Sequence, residues 1–194
     1  SLCRKAGGRT AAISYSWMSE LYSRAPYVSD RDRVQLDAEG SIQYGMYYWD
    51  DNYPDSHVFA EGECLRKTFD PDFMLYHTMA VDEWGHMKGA DSAEYANAVA
   101  AVGHLIAARM PEWLEKGYQV VVTADHGMNN LGIHVGTEHA QREVALYIFS
   151  DKVENGRFEE NYISQLNVAP LVCKLMGVPA TEGMKQELEI VFSK

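Results

Sequence analysis

Short apolar runs alternate with longer amphipathic stretches along this chain. Four runs have the length and composition of strands: Thr10–Tyr15 (TAAISY), Phe73–Val81 (FMLYHTMAV), Tyr118–Thr123 (YQVVVT) and Val144–Phe149 (VALYIF). They are continuous rather than alternating, the pattern of a sheet buried on both faces. Helical periodicity fills the spaces between them. Tyr95, Val99, Val102 and Ile106 share one helical face and predict a helix over about Ser92–Lys116. Asp91 and Glu94 fit a capping box at its start, Pro111 a kink and Gly117 the stop. Further helices are predicted over Met18–Arg24 and Tyr162–Met176, the latter closed by Gly177 and Pro179. Such strand–helix alternation is the signature of an α/β fold with a largely parallel sheet. Ser29–Asp55 breaks the rhythm. It is polar and rich in Asp and Tyr, and is expected to be an insertion or cap on a single domain spanning residues 1–194. Its Tyr44, Tyr47, Tyr48 and Trp49 are expected to pack that cap, with stacking on a base as the alternative.

Composition narrows the class. Hydrophobic residues are 46% and charged residues 23%, enough apolar content for a core and too little charge for global disorder. No apolar run approaches the ~20 residues of a membrane span. The first residues, Ser1-Leu2-Cys3-Arg4-Lys5, carry no apolar signal-peptide region, which favours a cytoplasmic location, and the missing initiator Met suggests a start inside a longer protein. A formal net charge of −11 opposes binding to nucleic-acid polymers. Bound divalent ions would still make one cleft attractive to a small phosphate ester or nucleotide. Cys3, Cys64 and Cys173 are odd in number and lack a CxxC spacing, so they read as separate reduced thiols.

Two motifs carry the chemistry: Asp82-Glu83-Trp84-Gly85-His86 and Ala124-Asp125-His126-Gly127-Met128. Each follows a predicted strand. In a parallel sheet both therefore come to the carboxyl edge, where α/β folds place their ligands. Asp82 and His86 are spaced to aim at one ion, and Gly127 supplies a turn that lets Asp125 and His126 share another. Mixed carboxylate and imidazole donors suit zinc, manganese or iron better than calcium. Asp82 and His86 alone under-coordinate an ion, so a third ligand is expected. The candidates are His134 and His139, both before the strand Val144–Phe149. His77 and His104 read as structural histidines.

These residues resemble the alkaline phosphatase superfamily and, within it, the type I phosphodiesterase/nucleotide pyrophosphatase family. The resemblance rests on Pro71-Asp72-Phe73 leading into Asp82-x-x-Gly85-His86, on Thr123-Ala124-Asp125-His126-Gly127-Met128, and on Ala169-Pro170-Leu171 through Pro179. It implies a three-layer αβα sandwich and two divalent ions, zinc first and manganese second. It assigns Asp82, His86 and a later histidine to one ion and Asp125 and His126 to the other. Phosphodiesterase-like members carry the later histidine in a His-Gly segment, favouring His134; mutase-like members carry it nearer the strand, favouring His139. Met128 is phosphodiesterase-like, so His134 is chosen. The implied activity is hydrolysis of phosphodiester or nucleotide pyrophosphate bonds by in-line displacement at phosphorus. A phosphomutase or phosphatase of the superfamily is the alternative, as is a non-catalytic metal- or phosphate-binding module. The family's first strand, one Asp ligand and its nucleophile precede the equivalent of Leu2, and nothing in Ser1–Thr10 resembles them. The chain is thus expected to lack the N-terminal part of the domain, to contain no catalytic nucleophile, and to be inactive alone.

Overall fold

β1 (Thr10–Tyr15) is the centre of the sheet because its small and apolar side chains can be covered from both sides; Thr10 through Ser14 are all buried. The computed structural model describes residues 1–156, 162–184, 187–188 and 190–193. Beside β1 run β2 (Val34–Gln35), β3 (Tyr44–Tyr48) and β4 (Phe73–Tyr76), in the order β2-β3-β1-β4. β3 and β4 are parallel to β1, with Ala11 opposite Tyr44 and Met74, and β2 is antiparallel to β3. The fold is α/β with a mostly parallel sheet. The helices are α1 (Leu2–Lys5), α2 (Trp17–Tyr22), α3 (Ser29–Asp32), α4 (Asp55–Phe69), α5 (Ala80–Lys88), α6 (Ala93–Ala107), α7 (Met110–Glu115), α8 (His139–Arg142) and α9 (Val168–Met176).

The chain forms two compact units. The first comprises Cys3–Ala108 and His126–Glu143, with Ser1. Its core joins Ile13 of β1, Tyr48 of β3 and Val58 of α4, widened by Met46, Met74 and Tyr76. Gly62 lets α4 lie this close: a Cβ there would come within 2.1 Å of the Tyr76 ring and 2.9 Å of Ile13. Alternate residues of a strand face opposite ways, and Tyr47, next to Tyr48, is also fully buried. The second unit comprises Arg109–Asp125 and Val144–Lys194, with Leu2. In it β5 (Val120–Val122) pairs antiparallel with β6 (Tyr147–Phe149). Leu171 and Leu175 of α9 pack there with Ile190, Val121 and Ile148.

Several expectations change. Ser29–Asp55 is no separate cap: it contributes α3, β2 and β3, and β3 pairs with the central strand along its whole length. Its aromatic run Tyr44-Gly45-Met46-Tyr47-Tyr48 is a strand former that polar flanks disguise. The expected strand Phe73–Val81 stops at Tyr76, and Ala80 and Val81 already belong to α5. The fourth expected strand shortens to β6 and is antiparallel, so β5 belongs to a two-stranded ladder rather than to the sheet of β1. The long predicted helix divides at Ala108–Arg109 into α6 and α7, with Pro111 in the first turn of α7, where its missing N–H costs nothing. Its cap is Ser92, whose hydroxyl accepts from Tyr95 N at 3.1 Å, not Asp91. Of the predicted helix Tyr162–Met176, Gln165–Asn167 is a 3₁₀ turn and Val168–Met176 is helical.

Candidate metal centre

The site begins where β4 ends. The chain leaves Tyr76, and Met79 N and Ala80 N are held by the Asp55 carboxylate, with 3.3 Å to Met79 N. These are donors at the start of α5 that the helix cannot satisfy itself. Burial pushes the Asp55 carboxyl up, against the pull of those N–H groups. α5 is therefore anchored at its N-terminus, and it carries Asp82 and His86 one turn apart on one face. His86 Nε2 lies 3.5 Å from Asp82 Oδ2.

The segment after His126 crosses the far half of α5. Gly85 makes room for it: a Cβ there would lie 2.8 Å from Met128 Cε and 3.0 Å from Cγ, and Met128 is buried. Gly132, at φ +72°, comes closer still, since its Cβ would stand 2.6 Å from the His86 carbonyl. The Gly132 carbonyl accepts from His86 Nδ1 at 2.8 Å. A carbonyl only accepts, so Nδ1 carries the proton, and in the neutral ring the lone pair is then on Nε2. The same logic holds for His126, whose Nδ1 lies 3.1 Å from the Gly127 carbonyl. Such backbone bonds fix the tautomer and aim the remaining nitrogen, as they do for metal-bound histidines.

Asp82, His126 and His134 converge: one ligand atom from each lies within 4.8 Å of the others. The His126 and His134 rings stack at 3.9 Å, and the His86 ring stands 4.9 Å from that of His134. His126 Nε2 is 3.9 Å from Asp82 Oδ1. That oxygen is buried and has no hydrogen-bond partner among the described residues. A buried carboxylate oxygen left without a donor is costly, and a divalent cation among these atoms would compensate it. The donor set therefore fits a zinc-type ion. The negative charge of Asp82 is felt by Tyr95, whose phenol is pushed up first by burial and then by that carboxylate.

Of the residues expected as ligands, Asp82, His126 and His134 come together, with His86 beside them. The cluster draws on both expected sets. Asp125 belongs to the second unit, where its carbonyl accepts from Gln165 Nε2 at 3.0 Å. His139 is exposed and paired with Glu143. Among the four aromatic residues considered for base stacking, Tyr47 and Tyr48 are core, Tyr44 stacks on Phe69 at 4.0 Å, and Trp49 is 51% exposed. Sequence reasoning missed Asp55, Asn129 and Gln141, whose backbone hydrogen bonds hold the segments that bear the ligands. Of the three, only Gln141 belongs to a local capping motif, the capping box with Glu138.

An acidic and imidazole cluster beyond the carboxyl end of a parallel strand is a candidate metal centre in the place where α/β folds put their ligands. The chain belongs to the type I phosphodiesterase/nucleotide pyrophosphatase family, whose model matches residues 4–168. It is similar to the catalytic subunit of GPI ethanolamine phosphate transferase 3 of Mus musculus, with 27% identity over 157 residues, covering 77% of this chain and 14% of the relative. It is also similar to the 2,3-bisphosphoglycerate-independent phosphoglycerate mutase of Wolinella succinogenes, with 31% identity over 121 residues, 60% of this chain and 23% of the relative. Thus the chain spans a small part of the length of these relatives. Among solved structures it is similar to an inactive variant of murine ectonucleotide pyrophosphatase/phosphodiesterase 5 in complex with AMP. That match has 19% identity and a TM-score of 0.45, over 66% of this chain and 31% of that chain.

Proposed function

We propose that this chain supplies metal-binding residues to an enzyme that cleaves phosphodiester or nucleotide pyrophosphate bonds. The observation that carries the reading is the Asp82–His126–His134 cluster around a carboxylate oxygen with no hydrogen-bond partner among the described residues. Zinc is the first expectation and manganese the second, and the two sequence motifs also offer His86 and Asp125 as donors for a second ion. Bound divalent ions supply charge neutralisation at the non-bridging oxygens of a phosphoryl group. The protein's part is to hold the donors. Asp82 contributes a carboxylate, while His126 and His86 present Nε2 because their Nδ1 protons are committed to carbonyls. In this reading none of the five acts as a general base.

The names of the ethanolamine phosphate transferase relatives favour a second reading, in which an ethanolamine phosphate group passes to an acceptor rather than to water. The assay is turnover of a bis-nitrophenyl phosphodiester by the intact protein with zinc or manganese, run beside a phosphate monoester and beside an ethanolamine phosphodiester with an added alcohol acceptor. Metal-dependent release of nitrophenol supports hydrolysis. Turnover of the ethanolamine diester only with acceptor present moves the assignment to transfer. Turnover of the monoester alone sinks both.

A further inference from the structure

Gln141 touches both histidine-bearing segments at once. Its backbone carbonyl accepts from Gly127 N at 2.9 Å, one residue beyond His126. Its side-chain Nε2 donates to Ile133 O at 3.1 Å and to Val135 O at 3.5 Å, the two neighbours of His134 in the chain. Its Oε1 accepts from Glu138 N at 3.2 Å. The residue is buried, and a Cβ on Gly136 would come within 2.3 Å of its amide oxygen. Asn129 closes the same loop from the other end. Its Oδ1 accepts from Leu131 N and Ile133 N, both at 3.0 Å, and its Nδ2 donates to Glu138 Oε2 at 3.1 Å. No helix or strand spans residues 126–138, so these side-chain bonds do the work that a ladder does elsewhere.

We propose that Gln141 is a positioning residue for the metal centre: by bracing Gly127 and Ile133 together it sets the spacing of the His126 and His134 imidazoles opposite Asp82, and with it the affinity and geometry of the bound ion. The inference rests on the metal reading of that cluster. It assigns the device to the amide donor, because the Nε2 bonds are the ones that reach the His134 segment. Removing an outer-shell partner of this kind costs about 10–100-fold in metal affinity.

The experiment compares the full chain with Gln141→Glu, Gln141→Met, Asp82→Ala and Leu65→Ala. Leu65 is buried in α4 and touches none of these bonds, so its variant is destabilised without disturbing the loop. Two quantities are read: zinc affinity by competition with a chromophoric chelator, and the visible d–d spectrum of the cobalt-loaded protein. Gln141→Glu keeps the size and the acceptor, and turns the donor into a charged acceptor that repels the Ile133 and Val135 carbonyls. It should bind zinc about 10–100-fold more weakly and shift the cobalt bands, while Leu65→Ala keeps wild-type affinity and bands once folded. If Gln141→Met does not fold, Gln141→Glu decides alone. Wild-type affinity and a superimposable cobalt spectrum for Gln141→Glu overturn the assignment. If wild type and Asp82→Ala bind zinc alike, the metal reading fails and the inference goes with it.

Discussion

Asp82 places one carboxylate oxygen where the described residues offer no donor, and two imidazoles face it. That combination makes little sense as a structural carboxylate and good sense as a ligand. Asp82→Ala, His126→Ala and His134→Ala should each reduce zinc affinity by more than the ~10–100-fold expected for an outer-shell partner, measured by the same chelator competition. His139→Ala should leave it unchanged, since that side chain is exposed and paired with Glu143. Asp32 shows the opposite kind of carboxylate, one whose partners are all protein. It is fully buried and receives bonds from Arg31, from Val28 N and from Arg24, and the Arg31 guanidinium first among these holds its carboxyl well below the usual range. A folded pKa below the unfolded ~3.9 gives stability that is complete above that value and fades as pH falls toward the folded one. Urea midpoints should therefore separate wild type from Asp32→Asn at pH 7, and the gap should narrow steadily below about pH 4. A gap independent of pH contradicts this account of Asp32.

At the scale of elements, α4 and α5 decide whether the site is held. α4 sits on the sheet through Gly62, and its first residue, Asp55, caps α5. Gly62→Ala would gain about 1 kcal/mol of helix propensity but push a methyl into Tyr76 and Ile13, an overpacking that costs about 1–3 kcal/mol. Chemical denaturation should show a net loss of stability, and a gain would contradict the close packing of α4. Asp55→Ala should cost about 0.5–2 kcal/mol, the range of a lost helix cap. Much of this level was legible in the chain. The run TAAISY announced β1, and the start of the helix containing Tyr95 and Val99 was placed to within a residue, while its expected end at Lys116 overran α6 into α7. Tyr44–Tyr48 was not legible as a strand because it lies between polar segments and reads as an irregular excursion. The direction of β6 was not legible either, since an apolar run states that a strand exists and not which neighbour it pairs with. Asp82 and His126, which the structure brings together with His134, stood out in the two motifs, whereas the braces Asn129 and Gln141 did not: an amide that satisfies backbone groups has no spacing rule of its own.

The whole molecule adds the consequence of binding. An ion that binds only the folded state stabilises it by RT ln(1 + [L]/Kd), about 2.7 kcal/mol at a hundredfold excess over Kd. Zinc should raise the melting temperature of the wild type and not that of Asp82→Ala, as read by calorimetry. The net charge of −11 sharpens the expectation, because a bound cation relieves self-repulsion as well as completing the site. Family membership, the cluster and the unpartnered oxygen all lead to one claim, that Asp82, His126 and His134 surround a divalent ion. The most direct measurement is anomalous diffraction at the zinc edge from crystals grown with zinc. The account predicts a peak among these three side chains, with Zn–N distances of about 2.0–2.1 Å to the imidazoles. A zinc-soaked crystal with no anomalous peak between Asp82, His126 and His134 would contradict it.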